Sequence, residues 1–407
     1  MAKINKYQQD RFTKAFINPK VLKWAREVIQ VSRLDIVKKL NKEYIKEKDL
    51  ISWEEGTDFP TIYIAKILSK LYGIKFITFY LPSVPKKIKP LKDFRGIPDP
   101  NIFSKNFIFL MREIQGKQEW TKEYLTNKSK KPIAFVDSIA LEYGIEHCTK
   151  EAVNLLNKLL LSDTIELSSK VDDTFKILVK KIESLGVFVS IGNSYNGHHL
   201  YSVEPSEARG FAIADKIAPF VFINSKDNKK AQIFTLIHEV CHLFLGESGI
   251  SDTSSGNKNP TEIICNKATA EFLMPTEKFH EIWNSTKTNS LDEKIKILGE
   301  KFPTSRLSIT IRAYALRLIS NKTFDETYAH YKKEVKDFTA IKKKQQAKGG
   351  FSDPYLKTLK INGKQFVNTV MEAYSSSEIM ISSACSLLGI PKTVNFDVYE
   401  QKWSKLL

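Results

Sequence analysis

The chain predicts a mostly helical α+β fold, with one small antiparallel sheet near its middle and helical regions on both sides. Three observations carry that prediction. Apolar residues recur at helical spacing over residues 19–80 and again over 101–185. At Gly186 the period changes: GVFVSIG, RGFAIAD and PFVFINS are short β-branched and aromatic runs bounded by Gly, Asn, Pro and Asp. Helical spacing then resumes in KKAQIFTLIHEVCHLFLG. The expected divisions are 1–82, helical; 83–175, a connector and a helical region; 176–322, the part holding the sheet; and 323–407, a helical end piece.

Within the first division, PKVLKWAREVIQ puts Val21, Leu22, Ala25 and Val28 on one helical face, and Ser32 is placed to cap the next helix. A third apolar-periodic piece stops at Gly56, and Pro60 and Thr61 open a fourth helix. Residues 82–100 are rich in Pro and Lys and read as an extended connector, with Lys86, Lys87, Lys89, Lys92 and Arg95 as solvated charges. After the sheet, Gly246 ends the apolar helix. A polar loop leads to TEIICNKATAEFLM, which Pro275 stops. The run IKKKQQAKGG marks the last boundary.

Composition excludes several classes. With 407 residues, 42% of them hydrophobic, the chain has the apolar content of a folded protein, not a disordered one. No stretch approaches the roughly 20 apolar residues needed to span a bilayer. The polar start MAKINKYQQDRFTKAF has no signal-peptide core, so a cytoplasmic location without membrane attachment is expected. The four cysteines, Cys148, Cys241, Cys265 and Cys385, lie far apart and form no CxxC pair, which predicts neither a disulfide framework nor a cysteine-based zinc site; they read as small buried side chains. The net charge of +17 is compatible with nucleic acid or an acidic partner but says nothing of fold.

The chemistry-bearing segment is His238-Glu239-Val240-Cys241-His242, an HExxH. Residues i and i+4 share a helix face, so both imidazoles can reach one metal ion from a single rigid element. Glu239, about 100° round the helix from His238, can reach a water held there without ligating the metal itself. The surrounding apolar residues would bury these three side chains, and a buried carboxylate beside two imidazoles calls for a cation. A catalytic zinc (Zn2+) takes three protein ligands, and Glu262, at the start of the next helix, is the expected third; Glu271, Glu247 and Asp252 are the alternatives. Asn266, one turn further on, is placed to orient that carboxylate. Glu239 is then the catalytic base. An oxyanion donor is also required, and Tyr195, His198, His199, His280, Arg312 and Tyr314 all remain candidates. The run PFVFINS is expected to present a sheet edge on which an extended peptide can lie.

Gly210-Phe211, Pro219 to Asn224, Phe234 to His242 and Glu262 to Pro275 together resemble the ImmA/IrrE family of zinc metalloendopeptidases over about residues 175–320. The resemblance implies a zincin-like peptidase domain, with His238, His242 and Glu262 as metal ligands and Glu239 as base. It also implies a helix-turn-helix repressor as substrate, cleaved to turn on a mobile element or a stress response. Cys241 stands where family members carry Gly or Ala and is expected to serve packing. Trp53-Glu54-x-Gly56 and Pro60-Thr61 resemble an Xre-type helix-turn-helix, with a recognition helix at about Tyr44 to Trp53 that turns Lys46 and Lys48 toward phosphates. Glu43, Glu47 and Asp49 oppose that role, so a retained helical fold that docks a partner is the other expectation. The rival for the whole chain is a DNA-binding or repressor-binding regulator whose metal site is structural or sensory.

Overall fold

The computed structural model describes residues 10–85, 92–93, 103–161, 171–195, 201–250, 259–288, 290–346, 354–390 and 396–404; for 92–93, 335–346 and 354–357 it gives the backbone course alone. Lys86, Lys87, Lys89 and Arg95 of the basic connector lie outside the described residues. Two units divide the chain: residues 1–90 with 101–109, and residues 91–100 with 110–407.

The first unit holds α1 (Pro19–Val28), α2 (Arg33–Leu40), α3 (Glu47–Glu55) and α4 (Ile62–Tyr72). Asn18, Ser32 and Thr61 accept backbone N–H bonds at the starts of α1, α2 and α4, which satisfies donors that a helix cannot pair internally. The third helix begins later than its apolar pattern suggests. Lys46 is its N-cap, and the Asp49 carboxylate accepts the Lys46 N–H at 2.7 Å, so residues 44–46 precede the helix. Asp49 is thus occupied in capping. Glu54 is buried and binds Arg26 Nε at 2.6 Å and Arg33 Nε at 2.9 Å, tying three helices together through one carboxylate. That ties the Trp53-Glu54 anchor to packing.

The second unit is built round a five-stranded sheet: β1 (Lys92–Asp93), β2 (Phe188–Gly192), β3 (Gly210–Ile213), β4 (Phe220–Asn224) and β5 (Gly249–Ile250), in the order β1-β5-β3-β4-β2. It is mixed, not antiparallel: β3 runs antiparallel to β4 and β5, while β2 runs parallel to β4 and β1 parallel to β5. Hydrophobic patterning fixes which face of a strand is buried but not its direction. The clue to parallel neighbours is the unbroken apolar run of β4, whose five residues are all buried. In-register aromatic pairs stitch the sheet, Phe188 on Phe220 at 4.8 Å and Phe211 on Phe222 at 5.0 Å. Because β4 is bonded on both sides, the expected peptide-binding edge at PFVFINS does not exist.

Helices cover this sheet. In chain order α5 (Lys105–Asn127), α6 (Ile145–Leu160) and α7 (Val171–Ser184) precede β2, α8 (Lys229–Phe244) follows β4, and α9 (Pro260–Leu273), α10 (Thr276–Ser285), α11 (Leu291–Lys301), α12 (Arg306–Ala315) and α13 (Asn321–Gln346) follow β5. Ile233, Leu236, Ile237, Val240 and Phe244 of α8 join Val221 and Ile223 of the sheet and Ile264, Ala268 and Phe272 of α9 in one apolar core. Toward the C-terminus, α14 (Pro354–Asn362) and α15 (Lys364–Ser375) pack on β2: Ser190 Oγ donates to the Ile361 carbonyl at 2.9 Å, and the Gln365 N–H donates to Glu183 at 3.1 Å. Among the described residues no helix is long and apolar enough to cross a membrane.

Candidate metal centre

Two helix starts set this site. Asn228 caps α8 through the Ala231 N–H at 2.9 Å, and the apolar stripe of that helix then fixes its rotation against the sheet. His238, Glu239 and His242 are fully buried as a result. At the other start, Asn259 caps α9 through the Thr261 N–H at 2.9 Å and Pro260 occupies the first turn. Glu262 therefore sits in that first turn, where the helix dipole favours an anion. Gly246 closes the other end of α8 with φ +67°, and a Cβ there would lie 2.5 Å from Asp137 Oδ1. Glycine alone satisfies both the left-handed backbone and the close approach.

His238 and His242 bring their Nε2 atoms to 3.1 Å of each other. Glu262 faces both rings with its two oxygens divided between them, Oε2 at 3.3 Å from His238 Nε2 and Oε1 at 3.1 Å from His242 Nε2. Zinc–nitrogen and zinc–oxygen bonds are about 2.0–2.1 Å, which makes the edge of a tetrahedral set about 3.3–3.4 Å. The two ring nitrogens and the carboxylate oxygen nearest each of them stand close to that spacing, so the three residues fit a single small cation. Electrostatics agrees. Burial pushes the His242 imidazole below its ordinary value against the pull of Glu262, which favours the neutral ring that ligates metals. Burial pushes the Glu262 carboxyl up, but its bonds with His238 and His242 outweigh that and hold it at about 2.

Glu239 lies on the sheet side of the same turn. A Cβ on Gly210 would come within 2.9 Å of Glu239 Oε1, 2.8 Å of the Phe222 carbonyl oxygen and 2.5 Å of Thr235 Cγ2. Glycine at the start of β3 thus makes the room that this carboxylate occupies. Cys241 is buried with its Sγ 4.0 Å from Thr269 Oγ1, and burial pushes its thiol up to about 12, as a packing residue requires.

Other expected residues lie elsewhere. Glu271 is bound to Arg312, to the Thr276 N–H at 2.9 Å and to the Thr276 hydroxyl at 2.7 Å, so it serves the turn after α9. Arg312 also donates to the Met274 carbonyl at 3.2 Å, which commits it to the same corner and not to an oxyanion. Tyr314 stacks on Phe324 at 4.3 Å, and His280 is half-buried on α10; neither makes a hydrogen bond or ring contact with the histidine pair. Tyr195 stands edge-on to Tyr201 at 5.9 Å. Glu247, unlike these, stays near the pair: it follows α8, its N–H donates to the His242 carbonyl at 3.1 Å, and its charge pulls the His242 imidazole up. Asp252, His198 and His199 lie outside the described residues. The Asn266 side-chain oxygen is buried without a hydrogen-bond partner, and no bond from its amide nitrogen to Glu262 is present among the described residues.

One residue was not singled out from the sequence. A ring nitrogen of His238, one of His242 and the sulfur of Cys265 all lie within 4.8 Å of one another, and all three side chains are buried. The signal was present: Cys265 follows Glu262 by three residues, which places both on one helix face.

No curated protein matches the chain. Residues 183–313, which contain β2 to β5, the histidine pair and Glu262, match the family model Peptidase_M78, described as an IrrE N-terminal-like domain, and this match supports the ImmA/IrrE family and a metallopeptidase for that segment.

Proposed function

We propose that residues 176–322 form a zinc-dependent endopeptidase whose substrate is a helix-turn-helix transcriptional repressor, so that cleavage derepresses a mobile element or a stress response. The observation that carries the enzymatic half is the buried cluster of His238, His242 and Glu262, whose N–N and nearest N–O separations are 3.1 to 3.3 Å. The choice of substrate rests on the resemblance to ImmA/IrrE proteins. In this reading the two imidazoles and the Glu262 carboxylate hold the cation.

Bound there, zinc supplies a Lewis acid that polarises a peptide carbonyl and makes a water molecule acidic at neutral pH. Glu239 performs the proton transfers: its carboxylate takes the proton of the attacking water and delivers it to the departing amine nitrogen. Gly210 supports that role, because a Cβ there would crowd the carboxylate at 2.9 Å. The full burial of His238 and His242 keeps bulk solvent from competing for the cation.

The test is Glu239→Gln, co-expressed with the repressor encoded nearest to this gene. Zinc content is expected to remain at wild type while cleavage, read on a gel, falls about 10²–10⁴-fold. A variant that cleaves at the wild-type rate overturns the proposal.

A second reading, a DNA-binding or repressor-binding regulator with a structural or sensory metal, draws support from Cys265 beside the histidines, since thiolate is the common ligand of structural zinc. Lys46 and Lys48 of the helix-turn-helix-like region are also exposed. Duplex DNA affinity that falls steeply with salt supports that reading, and no binding at low salt removes the DNA role.

A further inference from the structure

Cys265 occupies an unusual place. It is fully buried, on the same helix as Glu262 and one turn along it, and its sulfur lies within 4.8 Å of a ring nitrogen of each histidine. Cys241, on the neighbouring helix, is instead drawn to Thr269 and does not join that group. With zinc–sulfur bonds of about 2.3 Å and zinc–nitrogen bonds of about 2.0–2.1 Å, sulfur and nitrogen ligands of one tetrahedral ion stand about 3.5 Å apart. The remaining gap is smaller than the travel of a sulfur atom on rotation about one Cα–Cβ bond.

We propose that Cys265 is a metal-ligating thiol which shares His238 and His242 with Glu262, so that the centre has four protein donors and can close. Two imidazoles, one carboxylate and one thiolate complete a tetrahedral set, and a set completed by protein is the mark of a resting or structural site. With the sulfur turned away, three donors remain and one position opens to substrate. Closure breaks the Cys265 S–H bond and releases its proton to solvent, while a sulfur lone pair forms the bond to the metal; no electron is transferred. The inference deepens the metal-centre reading and rests on it. It adds a soft donor to a site otherwise read as imidazole and carboxylate, which shifts preference toward thiophilic ions.

The experiment uses the full chain, stripped of metal and titrated anaerobically with Co2+, which reports its ligands by colour. Visible bands show that the ion is bound, and a near-ultraviolet sulfur-to-cobalt charge-transfer band shows a thiolate. Wild type and Cys241→Ala are expected to display both, while Cys265→Ser keeps the visible bands and loses the other. Its preference for Cd2+ over Zn2+ is expected to fall about tenfold. Visible bands without the charge-transfer band in wild type overturn the thiol proposal and leave the metal centre standing. No visible bands at all overturn both. A charge-transfer band that survives in Cys265→Ser also overturns the proposal. The wild-type spectrum decides even if the serine variant fails to fold.

Discussion

Each unit of this protein buries one glutamate between two nitrogen-bearing side chains, and the two arrangements differ in one respect. Glu54, whose side chain is 1% exposed, lies between Arg26 and Arg33; Glu262, at 0%, lies between His238 and His242. Guanidinium groups are always cationic, so the first cluster carries its own countercharge and is complete as it stands. Burial pushes the Arg26 neighbourhood no further than its bond with Glu54 can repay: that bond raises the guanidinium above its ordinary value. Burial instead pushes the His242 imidazole below its ordinary value. The second cluster therefore sets its carboxylate beside a His242 ring that burial drives toward the neutral form, and it lacks the fixed countercharge of the first. One is a clamp, and we read the other as a receptor for a cation.

The comparison breaks most easily at the clamp. Glu54→Ala leaves two arginines facing each other with Arg26 buried, and unfolding by denaturant is expected to show a loss of about 3–5 kcal/mol. Added zinc should leave the gap between wild type and variant unchanged. If the loss is below 1 kcal/mol, Glu54 is not the tie between the first three helices. At the receptor, zinc at about a hundred times its dissociation constant should stabilise wild type by about 2.7 kcal/mol. Thermal melts with and without chelator would measure the gain, which should vanish in His238→Ala/His242→Ala and persist in Glu54→Ala. A gain that survives loss of both histidines places the metal elsewhere.

Gly210→Ala sharpens the picture of the receptor. Its Cβ meets the Phe222 carbonyl and Glu239, so a cost of about 1–3 kcal/mol is expected from a chemical denaturation curve. A neutral result would mean that β3 can retreat. The smallest effect belongs to Glu271. Burial pushes its carboxyl up, but bonds from Thr276 and Arg312 outweigh that and hold it below its ordinary 4.5. A depressed carboxyl stabilises the fold above its unfolded value and loses that contribution as pH falls through 4.5 and below. Glu271→Gln should flatten the acid limb of the stability profile by about 0.5–1 kcal/mol, since the group is one-third exposed. An unchanged acid limb would show that Glu271 contributes nothing through its charge.

Much of the receptor was legible in residue order, because a helix converts spacing into geometry. His238 and His242 at i and i+4, and the caps at Ser32 and Thr61, depend on local backbone rules that hold in any fold. What was not legible depends on partners distant in sequence. The direction of β2 beside β4 is set by the crossover between them, not by the pattern of either strand. Arg312 was as plausible an oxyanion donor as any until Glu271 and Met274, about 40 residues away, engaged it. Cys265 lies between these cases. Its helix spacing from Glu262 was visible, but its approach to the histidines needed the packing of α9 on α8.

We hold that two imidazoles and one carboxylate form a receptor for a single cation. Equilibrium dialysis of the metal-stripped chain against Zn2+, with bound metal counted by elemental analysis, tests it most directly. Wild type should hold about one zinc per chain, and His238→Ala/His242→Ala should hold none. A wild-type chain that takes up no zinc, or a double variant that retains wild-type stoichiometry and affinity, contradicts the claim.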